Sequence, residues 1–183
     1  MPPVFTIGHS TRAIGELLAL LAEHGIEVLM DVRRFPGSRR HPQFSRDALA
    51  AALAAAGVEY VHEPRLGGRR AARADSPHTA WRVEAFRGYA DHMETAEFNA
   101  ALEDLIRLSA GRSVVILCAE AVPWRCHRRL ISDALVARGI DVRHILAPGR
   151  ADLHELDPNA RLLEGGRRLV YSGPAGSQRL LFE

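Results

Sequence analysis

The stretch VVILCAEAVPWRCHRRLISDAL, residues 114–135, decides the fold. Its first five residues, VVILC, form an unbroken apolar run. A run that short, with no polar alternation, reads as a strand covered on both faces. A brief loop holding Pro123 and Trp124 follows. A helical pattern then begins, spanning about 126–138. Leu130, Ile131, Ala134 and Leu135 share its inward face, and Gly139 stands just beyond its end. A doubly covered strand leading directly into an amphipathic helix is the repeating unit of a parallel sheet.

The same alternation extends outward along the chain. VFTI (4–7), EVLMDV (27–32), VEYVH (58–62) and DVRHIL (141–146) read as further strands. Ile14, Leu17, Leu18 and Leu21 fall on one helical face that Gly25 ends. Ser45 is placed to cap a helix carrying Leu49, Leu53 and Ala56, with Gly57 as its stop. Phe98, Leu102, Leu105 and Ile106 make another stripe, with Thr95 as its cap. Residues 64–80 read as a long loop, and RLLEGGRRLVY (161–171) as a hairpin around Gly165 and Gly166. The expectation is α/β: one domain over 1–183, a Rossmann-like three-layer sandwich with a mostly parallel sheet, in which 157–183 form a C-terminal extension or hairpin.

Composition narrows the chemistry. The chain has 183 residues, a formal net charge of +2, and apolar and charged fractions of 47% and 25%, ordinary for a globular protein. No apolar run approaches a membrane span. The opening MPPVFTIGHS lacks the regions of a signal peptide, so a cytoplasmic location with reduced thiols is expected. All 24 basic residues are arginine. The absence of lysine removes Schiff-base, P-loop and lysine general-base chemistry. In such a chain the pairs at 39–40, 69–70, 128–129 and 167–168 read first as solvated faces.

Ligands of open α/β sheets bind beyond the carboxyl ends of the strands. Polar residues recur there: Gly8, His9 and Ser10 after the first strand; Asp31, Arg33 and Ser38 after the second; Gly67 and Gly68 beyond the third; Cys118 and Glu120 after the fourth, followed by Cys126, His127 and Arg128. Three chemistries fit. Glu120 and Asp31 would act as paired carboxylates in hydrolytic or glycosidic cleavage, with His9 binding or exchanging a proton. Cys126 would be a nucleophile. Cys118, Cys126 and His127, with His9 as a further donor, would hold zinc or serve thiol redox chemistry.

Four motifs in order, TIGHSTR (6–12), MDVRRFPGS (30–38), EPRLGG (63–68) and LCAEAVPWRCHRRLIS (117–132), resemble the bacterial family called domain of unknown function 488. The resemblance runs from about residue 5 to residue 160. It marks Gly8, His9, Ser10, Asp31, Arg33, Pro36, Ser38, Leu66, Gly67, Gly68, Cys118, Glu120, Cys126, His127 and Arg128, and implies an α/β fold without naming a substrate.

The leading expectation is an enzyme acting on an anionic nucleotide-like substrate, free or in nucleic acid. Glu120, Asp31 and His9 are its catalytic candidates. Ser10, Arg33, Ser38, Gly67, Gly68, His127 and Arg128 are the candidates for binding, with Trp81, Phe86 or Tyr89 stacking a base. No cofactor is required by this reading, no membrane is involved, and the partner is a phosphate-bearing small molecule or nucleic acid. A binding module without chemistry, and a zinc or thiol protein built on Cys118 and Cys126, are the alternatives.

Overall fold

The structure is a computed structural model and describes residues 1–37 and 39–173. In chain order its elements are β1 (Val4–Gly8), α1 (Ile14–Glu23), β2 (Val28–Asp31), α2 (Arg46–Ala55), β3 (Glu59–His62), α3 (Glu84–Met93), α4 (Ala96–Ser109), β4 (Val114–Cys118), α5 (Arg128–Val136), β5 (Val142–Ala147), β6 (Arg150–Leu153), β7 (Ala160–Leu163) and β8 (Arg168–Tyr171). The first six strands form one sheet in the order β3-β2-β4-β1-β5-β6. All of its pairings are parallel except β5–β6. This is the expected mixed α/β architecture.

β4 lies inside the sheet, and its side chains alternate between two cores. Val114 and Ile116 join the residues of α3, α4 and α5, including Tyr89, Phe98, Leu105 and Leu130. Val115 and Leu117 join those of α1 and α2, including Leu17, Leu21, Leu49 and Leu53. Both faces are therefore covered, which is why the strand reads as continuously apolar. Each such fully buried aliphatic side chain contributes about 1.5–3 kcal/mol.

The helix ends follow local chemistry. Thr95 caps α4 by accepting from the Phe98 N–H at 3.2 Å. Gly25 takes φ +59 just beyond α1, a conformation that disfavours a Cβ. Ser45 stands at the cap of α2, but its side chain makes no capping bond. β7 and β8 form the hairpin anticipated around Gly165 and Gly166 as a separate two-stranded sheet.

The chain leaves β1 toward α1 on one face and leaves β4 toward α5 on the other. These two strands are hydrogen-bonded neighbours, with Gly8 opposite Cys118. Connections that part to opposite faces from adjacent strands open a crevice at the strands' carboxyl ends. A Cβ on Gly8 would lie 1.7 Å from the Glu120 carbonyl oxygen. Only glycine lets the two chain segments cross there.

Candidate functional site

Asp31, at the end of β2, is fully buried. Its Oδ1 accepts from the Arg33 backbone N–H at 3.0 Å and from Arg33 Nε at 2.8 Å. Its Oδ2 accepts from Arg33 Nη2 at 2.6 Å and from the Tyr60 hydroxyl at 2.8 Å. Burial, and then the charge of Asp31, raise the pKa of Tyr60, so the phenol remains a donor. Arg33 is also buried, and its Nη1 donates to the Phe44 carbonyl at 2.8 Å and to His9 Nε2 at 3.2 Å. His9 donates from Nδ1 to the Ser10 carbonyl at 3.0 Å and stacks on Phe44 at 4.4 Å. Burial is the main cause of its pKa falling to about 4. Asp31, Arg33 and His9 thus satisfy one another inside the protein. Ser10 bends the chain away at φ +47, a left-handed conformation unusual for serine.

The second node lies across the crevice. The 3₁₀ turn Pro123–Arg125 returns the chain so that Cys126 and His127 meet Cys118. His127 Nδ1 is 3.9 Å from Cys118 Sγ and 3.7 Å from Cys126 Sγ. Its Nε2 is buried and has no partner among the described residues. Arg128 is 1% exposed, donating from Nε to Cys126 Sγ at 3.4 Å, from Nη1 to Thr6 Oγ1 at 3.3 Å and from Nη2 to the Glu120 carbonyl at 2.6 Å. The hydrogen bond with Cys126, and then burial, hold the Cys118 thiol well above the usual range. Burial opposes ionising Cys126, but the Cys118 hydrogen bond and the charges of His127 and Arg128 outweigh it and lower its pKa.

Behind Arg128 runs a buried polar chain that sequence reading missed. Thr6 Oγ1 meets His144 Nδ1 at 2.7 Å, and His144 Nε2 meets His154 Nδ1 at 2.9 Å. His154 Nε2 meets Asp133 Oδ1 at 2.9 Å, and the Tyr171 hydroxyl donates to Asp133 Oδ2 at 2.8 Å. A carboxylate only accepts, so His154 donates through Nε2. At the other end Thr6 Oγ1 accepts from Arg128 Nη1, which joins the chain to the guanidinium. Burial, and then the proximity of His154, pull the His144 pKa down to about 3. Alternation at the start of DVRHIL, with Val142 buried and Arg143 exposed, is the sequence signal that turns His144 inward.

The remaining expectations sort clearly. Arg33 and Arg128, expected to hold phosphate, direct their donors into the protein. Asp31 is bound to Arg33, whereas Glu120 is exposed and its carboxylate makes no hydrogen bond or ion pair with the described residues. The two carboxylates therefore differ in kind and are not a matched acid–base pair. Ser38 lies outside the described residues. A Cβ on Gly67 would come 2.9 Å from Arg34 Cα, and one on Gly68 2.9 Å from His127 Nδ1. The loops after β2, β3 and β4 therefore abut through these glycines, and Arg34 Nη1 adds a bond to the Arg69 carbonyl at 3.1 Å. Trp81 and Tyr89 are core residues, not stacking platforms. The exposed aromatics on the strand-end loops are Phe35, 66% exposed, and Trp124, 46% exposed.

The family model described as domain of unknown function DUF488 matches residues 13–135. That span holds every motif of the crevice except TIGHSTR, which precedes it. No curated protein and no solved structure matches the chain. No helix among the described residues is long and apolar enough to cross a membrane.

Proposed function

The chain belongs to the DUF488 family, and we propose that it is a hydrolytic enzyme acting on an anionic, nucleotide-like substrate in the crevice beyond β1 and β4. The observation that carries this reading is an arginine rim on the loops beyond the strand ends. Arg34, Arg39, Arg40 and Arg69 are exposed and take part in no ion pair with the described residues. They stand on the loops after β2 and β3, and the second of these loops touches His127 through Gly68. Unpaired guanidinium groups beside a crevice concentrate phosphate-bearing ligands and contact them bidentately. Phe35 and Trp124 supply exposed rings on two strand-end loops, and every nucleobase has a face to stack.

Within this reading Glu120 accepts the proton of the attacking water, being the carboxylate of the strand ends that holds no other group. Asp31 fixes Arg33, and Arg33 fixes His9, which shapes the crevice wall. The chemistry is hydrolysis, N-glycosyl bonds included.

The test is a titration with labelled duplex DNA, single strands, RNA and mononucleotides at low and moderate salt, beside an Arg34→Ala/Arg69→Ala double variant. Binding should fall steeply with salt, and the double variant should weaken it and flatten the salt dependence. Glu120→Gln should keep binding and lose at least about 100-fold in turnover of whichever ligand binds. Absence of binding at low salt overturns the anionic substrate. Full turnover in Glu120→Gln removes that residue's role. Binding with no turnover by the wild type leaves a non-catalytic binding module, which the same arginine rim would serve.

A further inference from the structure

We infer that Cys118, Cys126 and His127 bind one zinc-type divalent cation and leave its fourth coordination position open to water. The inference rests on the hydrolytic reading for its purpose, the supply of an activated water, but not for its geometry.

The three donor atoms lie within 4.8 Å of one another. A tetrahedral ion bound at ordinary zinc–sulfur and zinc–nitrogen lengths holds sulfur and nitrogen about 3.6 Å apart. The two observed sulfur–nitrogen distances, 3.9 and 3.7 Å, are close to two edges of such a tetrahedron. Both meet at the same nitrogen, Nδ1, so the imidazole already presents one atom to both sulfurs.

Rigid elements hold the donors in place. Cys118 ends β4, Cys126 closes the 3₁₀ turn, and His127 immediately precedes α5. Little ordering remains to be done when an ion arrives, which favours binding. Gly68 keeps Nδ1 clear, because a Cβ there would come within 2.9 Å of it. Arg128 Nε donates to the Cys126 sulfur, the outer-shell bond that orients a metal-bound thiolate.

The donor set selects the metal. Two sulfurs and an imidazole favour a borderline-soft ion over magnesium or calcium, which take oxygen ligands. Three protein ligands with one open position mark a catalytic zinc site, whereas structural sites carry four. Zinc brings the pKa of a bound water to near neutrality. Glu120, two residues past Cys118 and exposed, is the carboxylate that would accept that water's proton. A Cys₂His zinc centre with a non-ligating glutamate is also the equipment with which zinc deaminases replace the exocyclic amine of a nucleobase by water's oxygen, releasing ammonia.

The test uses the full chain, purified without a metal-affinity tag and kept under a phosphine reductant so that no Cys118–Cys126 disulfide forms. Metal analysis should find one zinc per chain. Cobalt(II) added to chelator-stripped protein should give thiolate-to-cobalt charge-transfer absorption that saturates at one equivalent and is displaced by zinc. His127→Gln should weaken zinc binding about 100-fold or more in competition with a chromophoric chelator. This part-exposed residue is a safer variant for folding than either buried cysteine, and circular dichroism checks that. Glu120→Gln should bind zinc as tightly as wild type. Absence of both zinc and the cobalt signal, or unchanged zinc affinity in His127→Gln, overturns the site. Full turnover by the stripped protein would overturn the metal's role in activating water while sparing the hydrolytic reading. Zinc bound at one equivalent, with no anionic ligand bound at low salt, would spare the site and defeat the substrate.

Discussion

Two buried arginines stand on either side of the crevice, and they are satisfied in opposite ways. Arg33 has a carboxylate in bidentate contact, a carbonyl and a histidine nitrogen. Arg128 has a thiol sulfur, a threonine hydroxyl and a carbonyl. No carboxylate touches it, and Asp133 is reached only through Thr6, His144 and His154. Burying a charge is tolerable only when it is paired and hydrogen-bonded. The Arg33 node meets that condition internally and is complete. The Arg128 node meets it only by relying on Cys126 as a partial counter-charge. The complete node builds a wall, and the incomplete one is where the proposed ligand or ion would contribute. The orphaned His127 Nε2 lies on the incomplete side.

The contrast breaks most easily at Asp31. Asp31→Ala strands Arg33 inside the protein, and a loss of about 3–5 kcal/mol of stability is expected, read from urea unfolding at pH 7. A loss below 1 kcal/mol would mean that Arg33 does not depend on the carboxylate. Acidification should act next. His9 and His144 have folded pKa values of about 4 and about 3, below the ordinary 6.5. Below pH 6.5 the unfolded chain binds protons that the folded chain refuses, so stability falls as pH drops toward 4. The slope is at most about 1.4 kcal/mol per pH unit for each histidine. The urea midpoint followed from pH 7 to 4.5 checks this, and His144→Gln should flatten the curve. A midpoint constant over that range would show both rings protonated in the fold. Third, Cys126→Ala in chelator-treated protein removes the acceptor of Arg128 Nε, and about 1–3 kcal/mol should be lost. Cys126→Ser, which keeps an acceptor, should recover part of it. If Cys126→Ala costs as much as Asp31→Ala, Cys126 is the full counter-charge of Arg128 and the two nodes are equivalent.

Much of the fold was legible because burial on both faces leaves a plain mark. VVILC reads as a covered strand and is one, and Thr95 caps α4 where the stripe begins. α3 was not read. Asp91 and His92 are buried within it, so polar residues interrupt what Phe86, Tyr89, Ala90 and Met93 would otherwise announce. β6 was missed because it is a short, half-exposed edge strand. The crevice was legible as a set of residues, since polar side chains at successive strand ends are unusual. Their individual roles were not. In a chain without lysine, Arg128 beside Arg129 looks like a solvated pair. Its burial depends on Thr6, 122 positions away, and on the Glu120 carbonyl that Gly8 admits. Likewise the partner of Asp31 is its near neighbour Arg33, but Tyr60 joins from another strand.

Tyr60 offers the finest test of the comparison. Its hydroxyl gives Asp31 Oδ2 a second donor, beside the Arg33 guanidinium. Tyr60→Phe removes that donor and leaves the ring packed against the residues around α2. Asp31 retains three N–H donors, all from Arg33. The loss should therefore be only about 0.5–1.5 kcal/mol, the net worth of one ordinary hydrogen bond. Ligand binding and zinc affinity should not change, because the Arg33 node is internally complete and lies across the crevice from the metal donors. If Tyr60→Phe loosened zinc or ligand binding tenfold, the two nodes would be coupled through the crevice, and the division between a closed wall and an open site would have to be given up.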